Sequence, residues 1–348
     1  MVGAVVVRHG EILGEGYHAC LGGPHAEVVA LAAAAQRGGS RGATVYVTLE
    51  PCGHHGRTPP CAEALIEAGV ARVVACHGDP NPAVAGQGFE RLRAAGIAVE
   101  SGLLVEEAVR LNLPFLVFHA LGRPLVTLKW AMSLDGRIAT VDGESQWISS
   151  EEGRRWSLGL REEHAAILVG VGTALADDPS LNRRLGWAEA PPEAFSRVIL
   201  DRRLRLPPTA RLLTLPGPVL VYAEEALANN PAALRAAGAE VVLLPRVDPA
   251  AVLADLHRRG VQSVLVEGGG GIHGAFVEAG LFDRVAVDCA PRLLGGESAL
   301  GPVGGQGIGA LAAAPRLEGL SAEECGPDII LRGLRQGCLQ DLCKSVAE

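Results

Sequence analysis

Two successive runs of strand-like and helix-like segments, separated by a restart at Gly122-Arg123-Pro124, constrain this chain more than any other feature. In the first run, "GAVVV" and "EILGEGY" read as a hairpin around Arg8-His9-Gly10. A helix from about Ala26 to Arg37 follows, then a buried strand "ATVYVTL", a helix "CAEALIEAG" stopped by Gly69, and a strand "ARVVAC". The Pro- and Gly-rich "GDPNPAVAGQG" is a loop. A helix, a short strand near Ile97 and a helix through about Phe118 complete the unit. The second run offers strands at "PLVTLKW", "AAILVG", "RVILD", "PVLVY", "EVVLL", "SVLVE" and "RVAVD", mostly separated by helices, with "WAEAPPEAFS" and "RRLRLPPTAR" as surface loops. Such alternation implies two α/β domains, each with a mainly parallel sheet covered on both faces. The expected division is 1–122 and 123–335. The tail from 336 to 348 continues neither pattern and receives no assignment.

A chain of 348 residues is too long for most single cores and suits two domains. Aromatic residues are 4% of the chain, which leaves few stacking platforms for single-stranded nucleic acid. The net charge of −8 argues against a nucleic-acid partner held through phosphates, but not against a local basic pocket for one small phosphate. No apolar run reaches the roughly 18 residues of a membrane span, and "MVGAVVVRHG" lacks the basic start of a secretory signal. The expectation is a cytoplasmic protein with no membrane partner. Its eight cysteines then read as buried thiols or metal ligands rather than disulfides.

Three segments carry a metal pattern. "GGPHAEVVALAAA" opens an apolar helix with His25 and Glu27, and "TLEPCGHHGRTPPCAEALIEAG" places Cys52 just past a strand end and Cys61 at a helix start. One imidazole and two thiolates leave a zinc ion its fourth position for water, as a catalytic site requires. Helix N-termini lower thiol pKa values and favour the thiolate. Residues two apart on a helix do not share a face, so His25 is expected at the cap, turned to the metal, with Glu27 in the first turn as a proton carrier. Zinc deaminases of bases carry this His-x-Glu…Pro-Cys set. A lone His-x-Glu means little; the combination, each part at an element boundary, is specific. His54 and His55 are rival ligands within the intervening loop.

"PHAEVVAL", "TLEPCGHHGRTPPCAEALIEAGVARVV" and "GDPNPAVAGQG" resemble the N-terminal half of the bifunctional pyrimidine deaminase/reductase family of riboflavin biosynthesis. The long Cys-to-Cys spacing separates the chain from cytidine and tRNA-adenosine deaminases. The resemblance implies a cytidine-deaminase-like three-layer domain in which His25, Cys52 and Cys61 bind zinc and Glu27 shuttles protons. The loop from His54 to Pro59 would help hold a phosphoribosyl-aminopyrimidine. In the family pattern an opening helix and an Asn-Pro step precede the stretch matching Val2-Gly3. The chain as written starts inside the first strand, so a truncated start or an incomplete deaminase pocket, leaving the reductase as the main activity, is one expectation.

The second site is less legible. In "SVLVEGGGGIHGAFVEAG", Gly269, Gly271 and Gly274 satisfy G-x-G-x-x-G, with Asp288 downstream. The motif lies late in its domain, whereas a Rossmann fingerprint joins the first strand to the first helix. "TLKWAMSLDGRIAT", "GESQWISS", "ILVGVGTALADDPSLNRRL", "RVILD" and "VEGGGGIHGAF" match the reductase half of the same family, which resembles dihydrofolate reductase in fold. That implies NADPH, with Ala131, Trp147, Thr173, Asp177, Gly268, Gly269, Gly270, Gly271, Ile272, His273 and Gly274 lining the cofactor site. Ser145, Arg161, Leu181, Arg184 and Glu267 would face the substrate, with Lys129 and Asp135 nearby. On this reading Lys129 and Glu267 orient the sugar, and Arg161 and Arg184 chelate its 5-phosphate. Arg202 would favour the cofactor's 2′-phosphate.

The resemblance runs from about residue 2 to 333 and implies a homo-oligomer, dimer or higher, with a small-molecule substrate. Two rivals are distinguishable. A nucleoside or tRNA deaminase with an appended domain is disfavoured by the low aromatic content, the acidic charge and the long Cys loop, and deamination of free cytidine or tRNA would revive it. A structural zinc module beside a nucleotide-sensing domain would close its metal with a fourth protein ligand.

Overall fold

The computed structural model describes residues 1–20, 22–54, 59–186 and 195–346. The chain divides into two compact units. One comprises residues 1–121 and 339–348, and the other residues 122–338.

The first unit is built on a five-stranded sheet. Its strands are β1 (Gly3–Arg8), β2 (Glu11–Tyr17), β3 (Thr44–Val47), β4 (Arg72–Ala75) and β5 (Ala98–Ser101), in the order β2-β1-β3-β4-β5. β1 is antiparallel to both β2 and β3, and only β3, β4 and β5 run parallel. The mainly parallel sheet expected from the alternation is therefore mixed here, because the opening hairpin supplies two strands with no helix between them. Helices α1 (Ala26–Ala35), α2 (Cys61–Glu67) and α3 (Gln87–Ala94) pack in sequence against one another. Helices α4 (Val105–Leu111) and α5 (Leu113–Ala120) follow β5.

Close packing sets where α1 begins. Its buried face is alanine at Ala26, Ala30 and Ala34, and it lies on β2 at two glycines. A Cβ on Gly16 would stand 2.4 Å from the Ala26 carbonyl oxygen, and one on Gly14 2.3 Å from that of Ala30. Small residues on both sides bring the helix backbone down onto the strand and fix the direction in which its first turn points.

The second unit holds a nine-stranded sheet in the order β10-β9-β8-β7-β11-β6-β12-β14-β13. Its strands are β6 (Leu125–Ser133), β7 (Ala166–Gly170), β8 (Ser196–Leu200), β9 (Val219–Glu224), β10 (Glu240–Leu244), β11 (Ser263–Val266), β12 (Arg284–Ala290), β13 (Leu317–Cys325) and β14 (Asp328–Arg335). The seven expected strands are parallel and form the body of the sheet. β13 and β14 are an addition: an antiparallel ribbon laid on β12. Helices α6 (Glu151–Glu163), α7 (Val171–Asp177), α8 (Ala232–Ala236), α9 (Pro249–Arg258) and α10 (Gly270–Glu278) occupy the crossovers. Between β8 and β9 there is only a 3-10 turn, Arg211–Leu213, among the described residues. Most of "WAEAPPEAFS" lies outside the described residues, and its last residue, Ser196, opens β8.

The unassigned tail is helical. Helix α11 (Cys338–Val346) buries Leu339, Leu342 and Val346, and from Leu339 onward it belongs to the first unit, where the Gly78 amide donates to the Val346 carbonyl at 3.2 Å. Among the described residues no helix is long and apolar enough to cross a membrane.

Candidate active sites

The metal pattern assembles in the first unit. His25 is the N-cap of α1, in extended conformation, and its side chain makes no cap hydrogen bond, so the ring is left to turn elsewhere. Its Nδ1 lies 3.2 Å from Cys61 Sγ and 3.5 Å from Cys52 Sγ. Cys61 is the first residue of α2, and its amide donates to Cys52 Sγ at 3.2 Å. The three ligand atoms lie within 4.8 Å of one another. A hydrogen bond from the Cys61 thiol holds Cys52 down at about 5, and that same bond, with burial, pushes Cys61 up. The two sulfurs thus share a proton at the point where a divalent cation would hold both as thiolates. An imidazole and two thiolates in this compass fit zinc by donor type. Glu27, in the first turn of α1, is 3% exposed, and burial raises its carboxyl pKa, with the Cys52 charge adding to the rise.

Of the rival ligands, His54 is exposed and outside the cluster, and His55 lies outside the described residues, as does most of the expected substrate loop. Glu50 was not singled out in the sequence. Its buried carboxylate accepts from four backbone amides, those of Asp79 (3.1 Å), Gly86 (3.0 Å), Gly88 (2.9 Å) and Phe89 (3.3 Å). It thereby binds the "GDPNPAVAGQG" loop to the segment carrying Cys52. The available signal was its place immediately before Pro51-Cys52. Asp79, in that loop, is raised to about 6 by burial, with the Glu50 and Cys52 charges contributing.

In the second unit Lys129 on β6, Arg161 on α6 and Glu267 at the end of β11 come together. Arg161 grips Glu267 with two bonds, Nε to Oε1 at 2.9 Å and Nη2 to Oε2 at 2.8 Å, and Nη1 reaches the Asn182 carbonyl at 3.3 Å. This revises the expectation of a phosphate fork: the guanidinium faces a carboxylate. Burial alone would raise Glu267, yet the charges of Arg161 and Lys129 outweigh it and hold the carboxyl at about 2. Burial lowers the pKa of Lys129, while Glu267 opposes the drop. Arg184 bonds to Ser180 Oγ and to Asn182 Oδ1 (3.1 Å). Leu181 is 2% exposed with its side chain in the apolar core, which leaves only its backbone for a substrate.

The glycine run splits. Gly269 caps α10 with a φ of +56°, a conformation that favours glycine, and a Cβ there would sit 3.4 Å from Thr173 Oγ1. Gly271 is exposed with open space around it. A nine-residue helix opening on bare backbone fits a cofactor phosphate. The remainder is packing. A Cβ on Gly268 would stand 2.5 Å from Val169 Cα, and one on Gly274 2.2 Å from the Gly304 carbonyl oxygen. His273 is buried, its ring nitrogens 2.9 Å from the Pro302 and 3.2 Å from the Val266 carbonyl oxygens. His273 therefore faces inward, and Gly268, Gly274 and Gly270, whose Cβ would stand 2.6 Å from the Gly301 carbonyl oxygen, are closely packed on their Cα side. Ala131 and Ser145 are half-buried, Ile272 packs on the second unit's core, and Trp147 is 61% exposed with the Arg154 guanidinium 4.8 Å from its ring centre. Gln146 reaches Asp177 at 3.4 Å. Asp135 accepts from Ser133 Oγ and the Leu294 and Gly295 amides, and Arg202 makes a two-bond pair with Glu224, its side chain 61% exposed.

The chain matches two family profiles: the cytidine and deoxycytidylate deaminase zinc-binding region over residues 1–77, and the RibD C-terminal domain over residues 124–331. It is 42% identical over 346 residues to the riboflavin biosynthesis protein RibD of Escherichia coli strain K12, covering 95% of this chain and 92% of that protein. It is 41% identical over 332 residues to RibD of Aquifex aeolicus, covering 95% and 90%. Among solved structures, Acinetobacter baumannii RibD superposes with a TM-score of 0.83 at 39% identity, covering 96% of this chain and 92% of that one. The Thermotoga maritima diaminohydroxyphosphoribosylaminopyrimidine deaminase/5-amino-6-(5-phosphoribosylamino)uracil reductase gives 0.81 at 36%, covering 96% and 91%. A match through both halves argues against a nucleoside or tRNA deaminase with an appended domain and for a two-activity enzyme. The chain belongs to the bifunctional deaminase/reductase family of riboflavin biosynthesis.

Proposed function

We propose that the first unit hydrolytically deaminates 2,5-diamino-6-(5-phosphoribosylamino)pyrimidin-4-one, and that the second reduces the resulting 5-amino-6-(5-phosphoribosylamino)uracil to its ribitylamino product with NADPH. The observation that carries the reading is the convergence of His25, Cys52 and Cys61 beside the buried Glu27. His25 Nδ1 and the two thiolates would hold zinc. When bound, zinc supplies a polarised water for attack on the amine-bearing ring carbon. Glu27 would relay the two protons of the attacking water in turn, the first to the ring nitrogen beside the attacked carbon and the second to the departing amine, which leaves as ammonia. A raised carboxyl pKa suits a group that must both accept and release a proton. Among the described residues the cluster has three protein ligands, with His54 outside it, which favours an open catalytic metal over a closed structural one.

In the reductase, Gly269, Gly270 and Gly271 would receive a cofactor phosphate, and NADPH supplies the hydride for C1 of the ribosyl chain. Lys129 orients the sugar and provides a cationic neighbour for its oxygens. Glu267 fixes Arg161, and the Arg161–Glu267 pair with Arg184 frames the phosphate end. A homo-oligomer is supported by exposed apolar side chains between the end of β12 and β13: Leu293, Leu300, Leu311 and Leu320 are all 60% exposed or more. The eight free thiols accord with a cytoplasmic location.

The test is a coupled assay on the diaminopyrimidine substrate that reads ammonia release and NADPH loss separately. Cys52→Ser is expected to lose zinc and ammonia release while still reducing pre-deaminated substrate. Loss of both activities from a folded variant, or retained deamination, refutes the two-site assignment.

A further inference from the structure

We propose that Asp288 and Asp328 share a single proton beneath the reductase site, and that this proton keeps the site receptive to phosphate-bearing ligands. The inference rests on the reading of Lys129 as a reductase-site residue.

Asp288 lies opposite Ala131 in the β6–β12 ladder, and Ala286 lies opposite Lys129. Side chains alternate along a strand, so Asp288, Ala131 and Lys129 share one face of the sheet. Asp288 is fully buried, and neither of its oxygens has a hydrogen-bond partner of good geometry. Asp328, on β14, is also buried but well supplied: Ser150 donates to its Oδ2 from the backbone at 2.7 Å and from the hydroxyl at 2.6 Å. Ser150 caps α6, its Oγ accepting from the Gly153 amide at 3.1 Å. Both carboxyls converge on that glycine. A Cβ on Gly153 would stand 2.4 Å from Oδ2 of Asp288 and 2.4 Å from Oδ2 of Asp328.

Two carboxyls in one dry site do not both ionise readily. Asp328 has donors and a helix N-terminus, the setting that suits an anion. Asp288 meets only Ser149 and has no counterpart to the two Ser150 donors, so the proton belongs there. Burial, with the Asp328 charge, pushes Asp288 up to about 6. Asp288 feels Lys129 on β6 and Asp328 on β14, and Cys289 on β12 and Cys325 on β13 feel both carboxyls; Lys129 in turn neighbours Arg161 on α6, Glu267 after β11 and His273 on α10, and Glu152 on α6 acts on Cys325. With one proton in the pair, its remaining negative charge is matched by Lys129, the cation that acts on Asp288. Without it a net negative charge lies under a site whose ligands are themselves anions. The pair also roots the segment bearing Ser145 and Trp147, because Ser149 neighbours Asp288 and Ser150 holds Asp328.

The experiment measures reductase KM for NADPH and for pre-deaminated substrate across about pH 5.5 to 8.5 in the full-length zinc enzyme. In the unsubstituted enzyme KM is expected to rise roughly tenfold as the pair loses its proton. Asp288→Asn, which carries no charge at any pH, is expected to flatten that rise. Asp328→Asn leaves one carboxyl and one charge, and flattens it through a different side chain should Asp288→Asn fail to fold. Infrared difference spectra between acid and neutral pH should contain a carboxylic-acid C=O band that Asp288→Asn removes. A flat KM in the unsubstituted enzyme, an unchanged slope in the folded variants, or C=O intensity that Asp288→Asn leaves undiminished beside that of Asp79 overturns the proposal. Lys129→Met separates the two layers: normal reduction by that variant defeats the site reading, while the infrared band still reports on the pair.

Discussion

Gly16→Ala tests the argument that packing far from the metal sets the metal geometry. A Cβ at residue 16 would lie 2.4 Å from Ala26 O, 2.5 Å from Ala30 N and 2.7 Å from Val29 Cβ, and two of these three are helix backbone with no rotamer to escape into. Restoring ordinary contact, 3.4 Å or more, requires α1 to lift by about 1 Å near its first turn. Overpacking of this kind costs about 1–3 kcal/mol of stability. The functional cost is larger, because His25 caps that turn and zinc ligand distances hold to within about 0.2 Å. A displacement of about 1 Å at reacting groups is worth about 10²-fold in rate. Gly14→Ala meets the helix one turn further on, at Ala30 O (2.3 Å) and Ala34 N (2.6 Å), and should disturb the metal less for a similar loss of stability. Zinc content by metal analysis, ammonia release and reduction of pre-deaminated substrate are read for each variant. The expected order is Gly16→Ala well below Gly14→Ala in zinc retention and deamination, with reduction unchanged in both. Gly16→Ala that holds zinc and deaminates like the unsubstituted protein refutes the reasoning.

Three further outcomes are expected. Leu342→Ala removes a fully buried side chain from α11 and should cost the first unit about 2–5 kcal/mol in denaturant melts, lowering deamination before reduction. Asp288→Asn should stabilise the second unit above pH 6. The folded carboxyl titrates at about 6 against an ordinary 3.8, so its contribution is intact below 3.8 and is lost as pH rises through about 6. The gain from the substitution is about 3 kcal/mol at neutral pH and absent at low pH, read from melts across that range. Leu320→Glu, at a side chain 64% exposed on β13, should shift sedimentation toward the monomer while leaving the isolated melting of the first unit unaltered.

How much of this was legible in the sequence depends on whether a residue's partner is local. His25, Glu27, Cys52 and Cys61 each sit at an element boundary that caps, prolines and glycines announce, so the metal centre could be read before the fold. The seven parallel strands were visible because strands buried on both faces read as continuous apolar runs. β13 was not: "LEGLSAEEC" is mostly exposed, with a bulge between Glu318 and Ser321, and has no apolar run to detect. α11 was missed because its apolar residues are spaced for a partner surface formed by residues far earlier in the chain.

Charge pairing was the least visible of all. Arg161 and Glu267 are far apart in sequence, and each alone suggested a ligand-facing group, yet they satisfy each other. Asp288 had the opposite fate. It was noted only as the acidic residue a Rossmann fingerprint would want, and the fold places it instead in a buried ladder position with Ser149 beside it and no cation paired to it among the described residues. An isolated acid in an apolar strand such as "RVAVDCA" has no cheap structural explanation, since burying it costs free energy unless it is paired or protonated. That cost is the reason to look there for function: a buried carboxyl without a paired cation, on the face that carries Lys129, is best explained by what it does to the charge of the site.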